Sequence, residues 1–227
     1  MEIRRTTLEN CNDADGIVVV IDVLRAFTTA AYAFDRGAEE IVLVSTVEEA
    51  FALRERYRDY LLIGEVGGLP IDGFDLPNSP SALAKLDLTS RGLIMRSTAG
   101  TQGTVRVNGA DRLFAASLSV ASATAKFIKG LNPGFVTFVE TGVQAKGGGE
   151  EDVACSDYIA SLLLERPLNP TNIRNRVISS RAAAKFSNSG QPDFPETDLA
   201  HALKIDQFAF AMEVKRTGDL LVLRAVY

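Results

Sequence analysis

Four apolar runs in this chain each stop on a polar or acidic residue: IVVVI on Asp22, LLIG on Glu65, GLIMR on Ser97 and FVTFV on Glu140. Unbroken apolar runs of this length predict strands buried on both faces, as in a parallel sheet covered by helices. In open sheets of that kind ligands bind beyond the carboxyl ends of the strands. The predicted site therefore lies in the segments that follow: LRAFTT, VGGLPIDGFDLPNSP, TAGTQG and TGVQAKGGGEED. Their glycines, hydroxyls, carboxylates and single arginine suit a phosphate and a divalent cation.

Strand and helix patterns alternate from about residue 17 to about residue 165. The alternation predicts an α/β fold with a mainly parallel sheet, right-handed crossovers and helices on both faces. Thr46 and Glu49 have the spacing of a capping box, and Ser79 followed by Pro80 reads as a helix start. After Pro167 the texture becomes polar, with a helix predicted across IRNRVISSRAAAKFS. Its Arg174, Arg181 and Lys185 could reach an anion, although a solvated helix face is the simpler account. FAFAMEVKRTGDLLVLRAVY reads as an antiparallel hairpin extending the sheet at one edge. The division expected is a main α/β domain at 1–165 carrying the site, and an extension at 166–227, helix plus hairpin, packed on the same fold.

The 227 residues are enough for a full core, and 46% hydrophobic with 23% charged residues is the composition of a globular protein. A net charge of −5 argues against broad binding of nucleic acid or an anionic membrane. No run has the length of a membrane span, and MEIRRTTLENC lacks the apolar stretch of a signal peptide, so a cytoplasmic setting is expected. Cys11 and Cys155 are far apart and read as free thiols, and there is a single histidine, His201. A zinc site is therefore not expected, and any metal would be a hard one bound by oxygen. A homodimer is the expected assembly.

Asp22 could hold magnesium, attack phosphorus, or simply cap the following helix. Arg25, about one helical turn away, could grip phosphate with two parallel hydrogen bonds. Thr28 and Thr29 extend that polar edge or bond to their own helix backbone. Glu65 shares the strand-end position of Asp22 and could share its metal, while Asp75 and Asn78 in the long following loop could bind substrate or form turns. Ser97 to Gly103 reads as an anion cradle, with Gly100 allowing close approach of backbone amides. Glu150, Glu151 and Asp152 complement a helix dipole, and one of them could complete a cation site. Several phosphatase chemistries are excluded by spacing. Six residues after Cys155 stands Ser161 rather than arginine, no Arg-His-Gly occurs, and two residues after Asp22 stands Leu24 rather than a second aspartate.

As a set, IDVLRAFTT, IGEVGGLPIDGFDLPNSP, STAGT and EEDVACSDYIASLL resemble the blocks of the 2-phosphosulfolactate phosphatase family in order and spacing. That family reads DVLRATTT, GER-GG with GFDLGNSP, TTNGT, and EDVACAG. The resemblance implies a three-layer α/β/α enzyme, Mg²⁺-dependent, hydrolysing the small phosphorylated acid 2-phosphosulfolactate to sulfolactate and phosphate on a route to coenzyme M. It also implies that Asp22, Arg25 and Glu65 are catalytic and that Asp22, Glu65 and Asp152 hold the metal. Thr28, Asn78, Ser79, Ser97, Thr98, Gly100 and Thr101 would then surround the substrate. The chain departs from the family at Val66, Pro77, Ala99 and Ser156-Asp157, where arginine, glycine, asparagine and Ala-Gly are usual. A rival expectation is a non-catalytic binder of phosphoanions on the same scaffold.

Overall fold

The computed structural model describes residues 1–187 and 191–227. A ten-stranded sheet has the order β1-β8-β2-β7-β9-β10-β3-β6-β4-β5. Its strands are β1 (Glu2–Thr7), β2 (Asp15–Ile21), β3 (Glu40–Val44), β4 (Leu61–Gly64), β5 (Leu76–Pro77), β6 (Gly92–Arg96), β7 (Gly109–Ala116), β8 (Phe135–Glu140), β9 (Ala211–Thr217) and β10 (Leu220–Val226). Between them run α1 (Ala26–Asp35), α2 (Val47–Arg56), α3 (Pro80–Leu83), α4 (Gly100–Arg106), α5 (Ala121–Gly130), α6 (Glu150–Leu163), α7 (Pro170–Ile178) and α8 (Glu196–Ala202).

The apolar runs form strands because both of their faces are covered. In β2, Val18 and Val20 pack with Ala26, Phe27 and Ala30 of α1, while Ile17, Val19 and Ile21 pack against Ala121 and Ala125 of α5 and Ile159 of α6. The same alternation divides β3, whose Ile41 and Leu43 join the α1 cluster while Val42 and Val44 pack with Ala50 and Leu53 of α2. This is the expected three-layer α/β/α build. Each large side chain buried this fully, such as Phe27, Phe114 or Phe138, contributes about 1.5–3 kcal/mol relative to exposure. The helix starts follow local chemistry: Thr46 accepts the Glu49 amide at 3.1 Å, Glu49 accepts the Ser45 amide at 2.9 Å, and Ser79 caps α3 ahead of Pro80.

The carboxyl-terminal hairpin departs from the expected edge position. β9 lies against β7 and β10 against β3, all antiparallel, so the hairpin forms the centre of the sheet. Ala211, Met212, Glu213 and Val214 are all buried, as are Val222 and Leu223. Such two-sided burial places a strand inside a sheet, whereas an edge strand over one core would alternate. The edges are β5 and β1; β1, which has no apolar run, pairs in parallel with β8.

The three antiparallel steps reverse the second parallel block (β3, β6, β4, β5) relative to the first. The single helix α4 packs on β2 and β7 of one block and on β3 of the other. Despite that reversal, residues that follow β2, β4 and β6 (Asp22, Glu65 and Thr98) border one cleft. The helix expected across 173–187 is divided: α7 ends at Ile178, and Ala183–Ser187 is a 3-10 turn. No described helix is long and apolar enough to cross a membrane.

Candidate active site

A cleft of about 340 Å³ opens where the strand ends converge, with Asp22, Arg25, Glu65, Asn78, Thr98, Ala99 and Glu151 in its wall. Arg181, Lys185, Phe186 and Phe194 complete the lining from the region beyond residue 166. A wider opening of about 620 Å³ lies where β7 and β9 part, beside Arg112 and Glu213, but none of the expected site residues borders it. Chemistry rather than size therefore identifies the site.

Asp22 follows the last buried residue of β2. Its Oδ1 accepts the Ala26 amide at 3.0 Å at the start of α1, so it takes the capping contact and also borders the cleft. Burial pushes its carboxyl up to about 7, aided by the charges of Glu65 and Glu151 and opposed by the amides of Ala26 and Gly100. Gly100 is required here, since a Cβ on it would lie 2.8 Å from Asp22 Oδ2 and 2.9 Å from the Ala26 Cβ.

Arg25 follows Leu24 across a cis peptide bond. Its Nη1 donates to Asp198 Oδ2 at 2.8 Å and to the Asp193 carbonyl at 2.8 Å, and its Nη2 donates to the Gly68 carbonyl at 3.0 Å. The guanidinium carbon lies 5.1 Å from the Phe194 ring centre and 5.3 Å from that of Phe186. Asp198 is fully buried, and its Oδ1 also accepts the Ser79 hydroxyl and both the amide and the hydroxyl of Ser81. This carboxylate therefore ties Arg25, the α3 cap and α8 together.

Glu65 is equally committed. Its oxygens accept the Thr98 amide, the Thr98 hydroxyl at 3.0 Å and the Gly68 amide. Asn78 is 4% exposed, and its Oδ1 is buried with no hydrogen-bond partner.

The remaining expected residues border the site from behind rather than line it. Thr28 donates to the carbonyl of Val23, in the turn between β2 and α1, at 2.7 Å, and Ser79 is held by Asp198. Ser97 and Thr101 bond reciprocally: Ser97 N donates to Thr101 Oγ1 at 2.9 Å, and Thr101 N donates to Ser97 Oγ at 3.0 Å. The amides of the expected anion cradle at Ser97, Thr98 and Thr101 are thus already used by side chains.

Asp152 is 1% exposed and does not line the cleft. Its Oδ1 accepts the Val23 amide at 2.9 Å and its Oδ2 the Gly142 amide at 2.8 Å. Of the three acids at the start of α6, Glu151 is the one that borders the cleft. Its Oε2 is buried without a partner, and burial raises its carboxyl above the usual range. Gly149 makes the approach possible: it sits at φ +81°, and a Cβ there would lie 2.4 Å from the Val143 nitrogen.

Among the described residues no group of three or more His, Cys, Asp or Glu side chains is placed to hold a metal. Magnesium, however, is commonly held through one or two carboxylates, with waters and substrate phosphate completing its shell. The unpartnered Glu151 Oε2 and the charge-crowded Asp22 fit that requirement.

Sequence reasoning missed Asp198, because an acid in the first turn of a helix reads as a dipole complement and its partner Arg25 is 173 positions away. It also left Arg181 and Lys185 on a solvated face, whereas both line the cleft and only Arg174 lies elsewhere, donating to the Leu203 carbonyl. Among the departures, Ala99 borders the cleft and Pro77 an adjoining cavity of about 270 Å³. Ser156 and Asp157 instead join Arg5 and Glu140 in a separate network.

A family model described as 2-phosphosulpholactate phosphatase matches residues 3–217. A probable 2-phosphosulfolactate phosphatase of Bacillus subtilis is 37% identical over 213 residues, covering 92% of both chains. One from Carboxydothermus hydrogenoformans is 36% identical over 217 residues, covering 95% of this chain and 87% of the relative.

Proposed function

Because the chain belongs to the 2-phosphosulfolactate phosphatase family, whose activity is that of a phosphoric monoester hydrolase, we propose that it hydrolyses 2-phosphosulfolactate in an Mg²⁺-dependent reaction at the cleft around Asp22. The observation that carries this reading is the meeting of Asp22, Glu151 with its unpartnered Oε2, and the buried Arg25 in one cleft. In the reaction a water oxygen bonds to phosphorus, the bond from phosphorus to the C2 oxygen breaks, and that oxygen leaves with a proton as the sulfolactate hydroxyl.

Asp22 and Glu151 would hold Mg²⁺, in place of the set Asp22, Glu65 and Asp152. When bound, the ion would neutralise charge on the phosphoryl oxygens. Arg25 would bind phosphoryl oxygen through the two N–H groups it has left, since three of its five are used within the protein. Asp198 holds that guanidinium in place. Glu65 orders Thr98 and Gly68 around the phosphoryl position, and Asp152 fixes the turns at Val23 and Gly142. The buried Asn78 amide oxygen, which has no partner in the protein, would accept a hydrogen bond from water beside the substrate.

The reading extends to a cytoplasmic role in coenzyme M biosynthesis and to a homodimer. Phosphate release from 2-phosphosulfolactate and a panel of related phosphorylated hydroxy acids, with Mg²⁺ and with a chelator, tests it. The expected result is release that requires the ion and is fastest with 2-phosphosulfolactate. Undiminished release in chelator, or none from any compound, would contradict it.

A further inference from the structure

The cleft is polar in its charge as well as in its composition: Asp22, Glu65 and Glu151 supply one wall, and Arg181 and Lys185 come from the region between α7 and α8. Neither cation makes a salt bridge among the described residues. Both side chains are exposed, yet both border the cleft, and the backbone that carries them meets the start of α6. Glu150 Oε2 accepts the Arg181 amide at 3.3 Å, and Ser180 Oγ accepts the Ala183 amide at 3.1 Å. Arg181 Nη1 donates to the Lys146 carbonyl at 3.3 Å, within the loop whose glycines line the cleft. Lys185 Nζ lies 5.6 Å from the centre of the Phe194 ring, the same ring that faces Arg25. Phe186 and Phe194, edge to face at 5.5 Å, thus form an apolar floor that runs from Arg25 to the two cations.

We propose that Arg181 and Lys185 bind a second anionic group of the substrate, a sulfonate or carboxylate on the same small acid, and so select diacidic phosphate esters over simple ones. The inference rests on the phosphatase reading for its first anion, the phosphoryl group near Arg25. Asp22, Glu65 and Glu151 crowd acidic groups into one part of the cleft, and the two cations offer a second anion a separate place beside them. An arginine binds such a group with a planar fork and a lysine with a point charge, which together suit a sulfonate or carboxylate of either orientation.

The test compares kcat/KM for 2-phosphosulfolactate and for p-nitrophenyl phosphate in the parent, Arg181→Ala, Lys185→Ala, the double variant and Arg181→Lys. Loss of a charge-assisted hydrogen bond at each cation corresponds to a fall of roughly 10–100-fold for the diacid. The fall with p-nitrophenyl phosphate should be at least about tenfold smaller, and Arg181→Lys should recover part of the loss. Both side chains are largely solvent-facing, so unchanged melting temperatures should show that the variants fold.

Calorimetric binding of sulfolactate to the parent and to the double variant separates this inference from the reading beneath it. If the parent releases no phosphate but binds sulfolactate, and the double variant binds it more than about tenfold more weakly, the site stands while the phosphatase reading falls. Equal losses for both substrates, an unchanged ratio, or sulfolactate binding that is absent or unaffected by the double substitution would overturn the proposal.

Discussion

Asp22, Glu65 and Asp152 stand at the ends of buried strands or in the first turn of α6, and each accepts at least one backbone amide. Arg181 and Lys185, in the same neighbourhood, are exposed and carried on a turn and a short 3-10 segment. The first region is made of groups whose geometry is fixed before any ligand arrives, at the cost of crowding negative charge in a buried place. The second leaves its charges accessible and adjustable. Fixed acids suit a reacting centre, where electrostatic groups must not reorganise, while accessible cations suit recognition. Arg25 belongs to both regions, since it follows β2 in sequence but is held by Asp198 of α8.

That joint is where the comparison is most easily broken. Asp198→Ala would leave the Arg25 guanidinium buried without its counter-charge, and removing one partner of such a pair costs about 3–5 kcal/mol. The expected outcome is the largest fall in chemical-denaturation stability of the substitutions considered, together with loss of activity. A loss under about 1 kcal/mol would show that the two regions are not coupled through Arg25.

Within the acidic wall the next effect is steric. Gly100→Ala places a methyl group 2.8 Å from Asp22 Oδ2, and overpacking of this kind costs about 1–3 kcal/mol. Because the displaced group is Asp22 itself, kcat should fall along with stability. A variant of parental activity would mean that the position of Asp22 is not critical.

Ser156→Ala probes a departure from the family that lies outside both regions. The hydroxyl bonds to Glu140 and Arg5, so about 1 kcal/mol of stability should be lost while kcat/KM stays at the parental value. A change in the preference between 2-phosphosulfolactate and p-nitrophenyl phosphate would instead place Ser156 in substrate recognition.

The two regions also differ in how far they could be read from the sequence. β2, β4, β6 and β8 were legible because an apolar run that ends on a polar residue is a local signal, and the caps at Thr46 and Ser79 were legible for the same reason. The family blocks brought out Asp22, Arg25, Glu65, Asn78 and Thr98, all of which border the cleft. The acid facing the cleft from α6 was not legible, since Glu151 and Asp152 are neighbours and only the helix start determines which points inward. β1 was invisible because EIRRTT has no apolar pattern and is ordered by pairing with β8. The central place of the hairpin depends on which strands it pairs with, and those are far away in the chain. Asp198 was missed, and Arg181 and Lys185 were named as able to reach an anion but set on a solvated face, for the same physical reason: their partners or neighbours lie in distant segments, so no local spacing marks them.

The most direct test of the account is the activity of Asp22→Asn measured beside its melting curve. Asparagine keeps the shape and can still accept the Ala26 amide, but it loses the carboxylate proposed to serve the reaction. Since burial and the charges of Glu65 and Glu151 already disfavour the ionised form of Asp22, a neutral side chain should leave the melting temperature unchanged or higher. The account predicts that kcat for phosphate release from 2-phosphosulfolactate falls by at least on the order of 10³-fold in a protein that melts no earlier than the parent. Retention of most of the activity with a lowered melting temperature would show that Asp22 is only a helix cap, and would contradict the assignment of the cleft as the reacting centre.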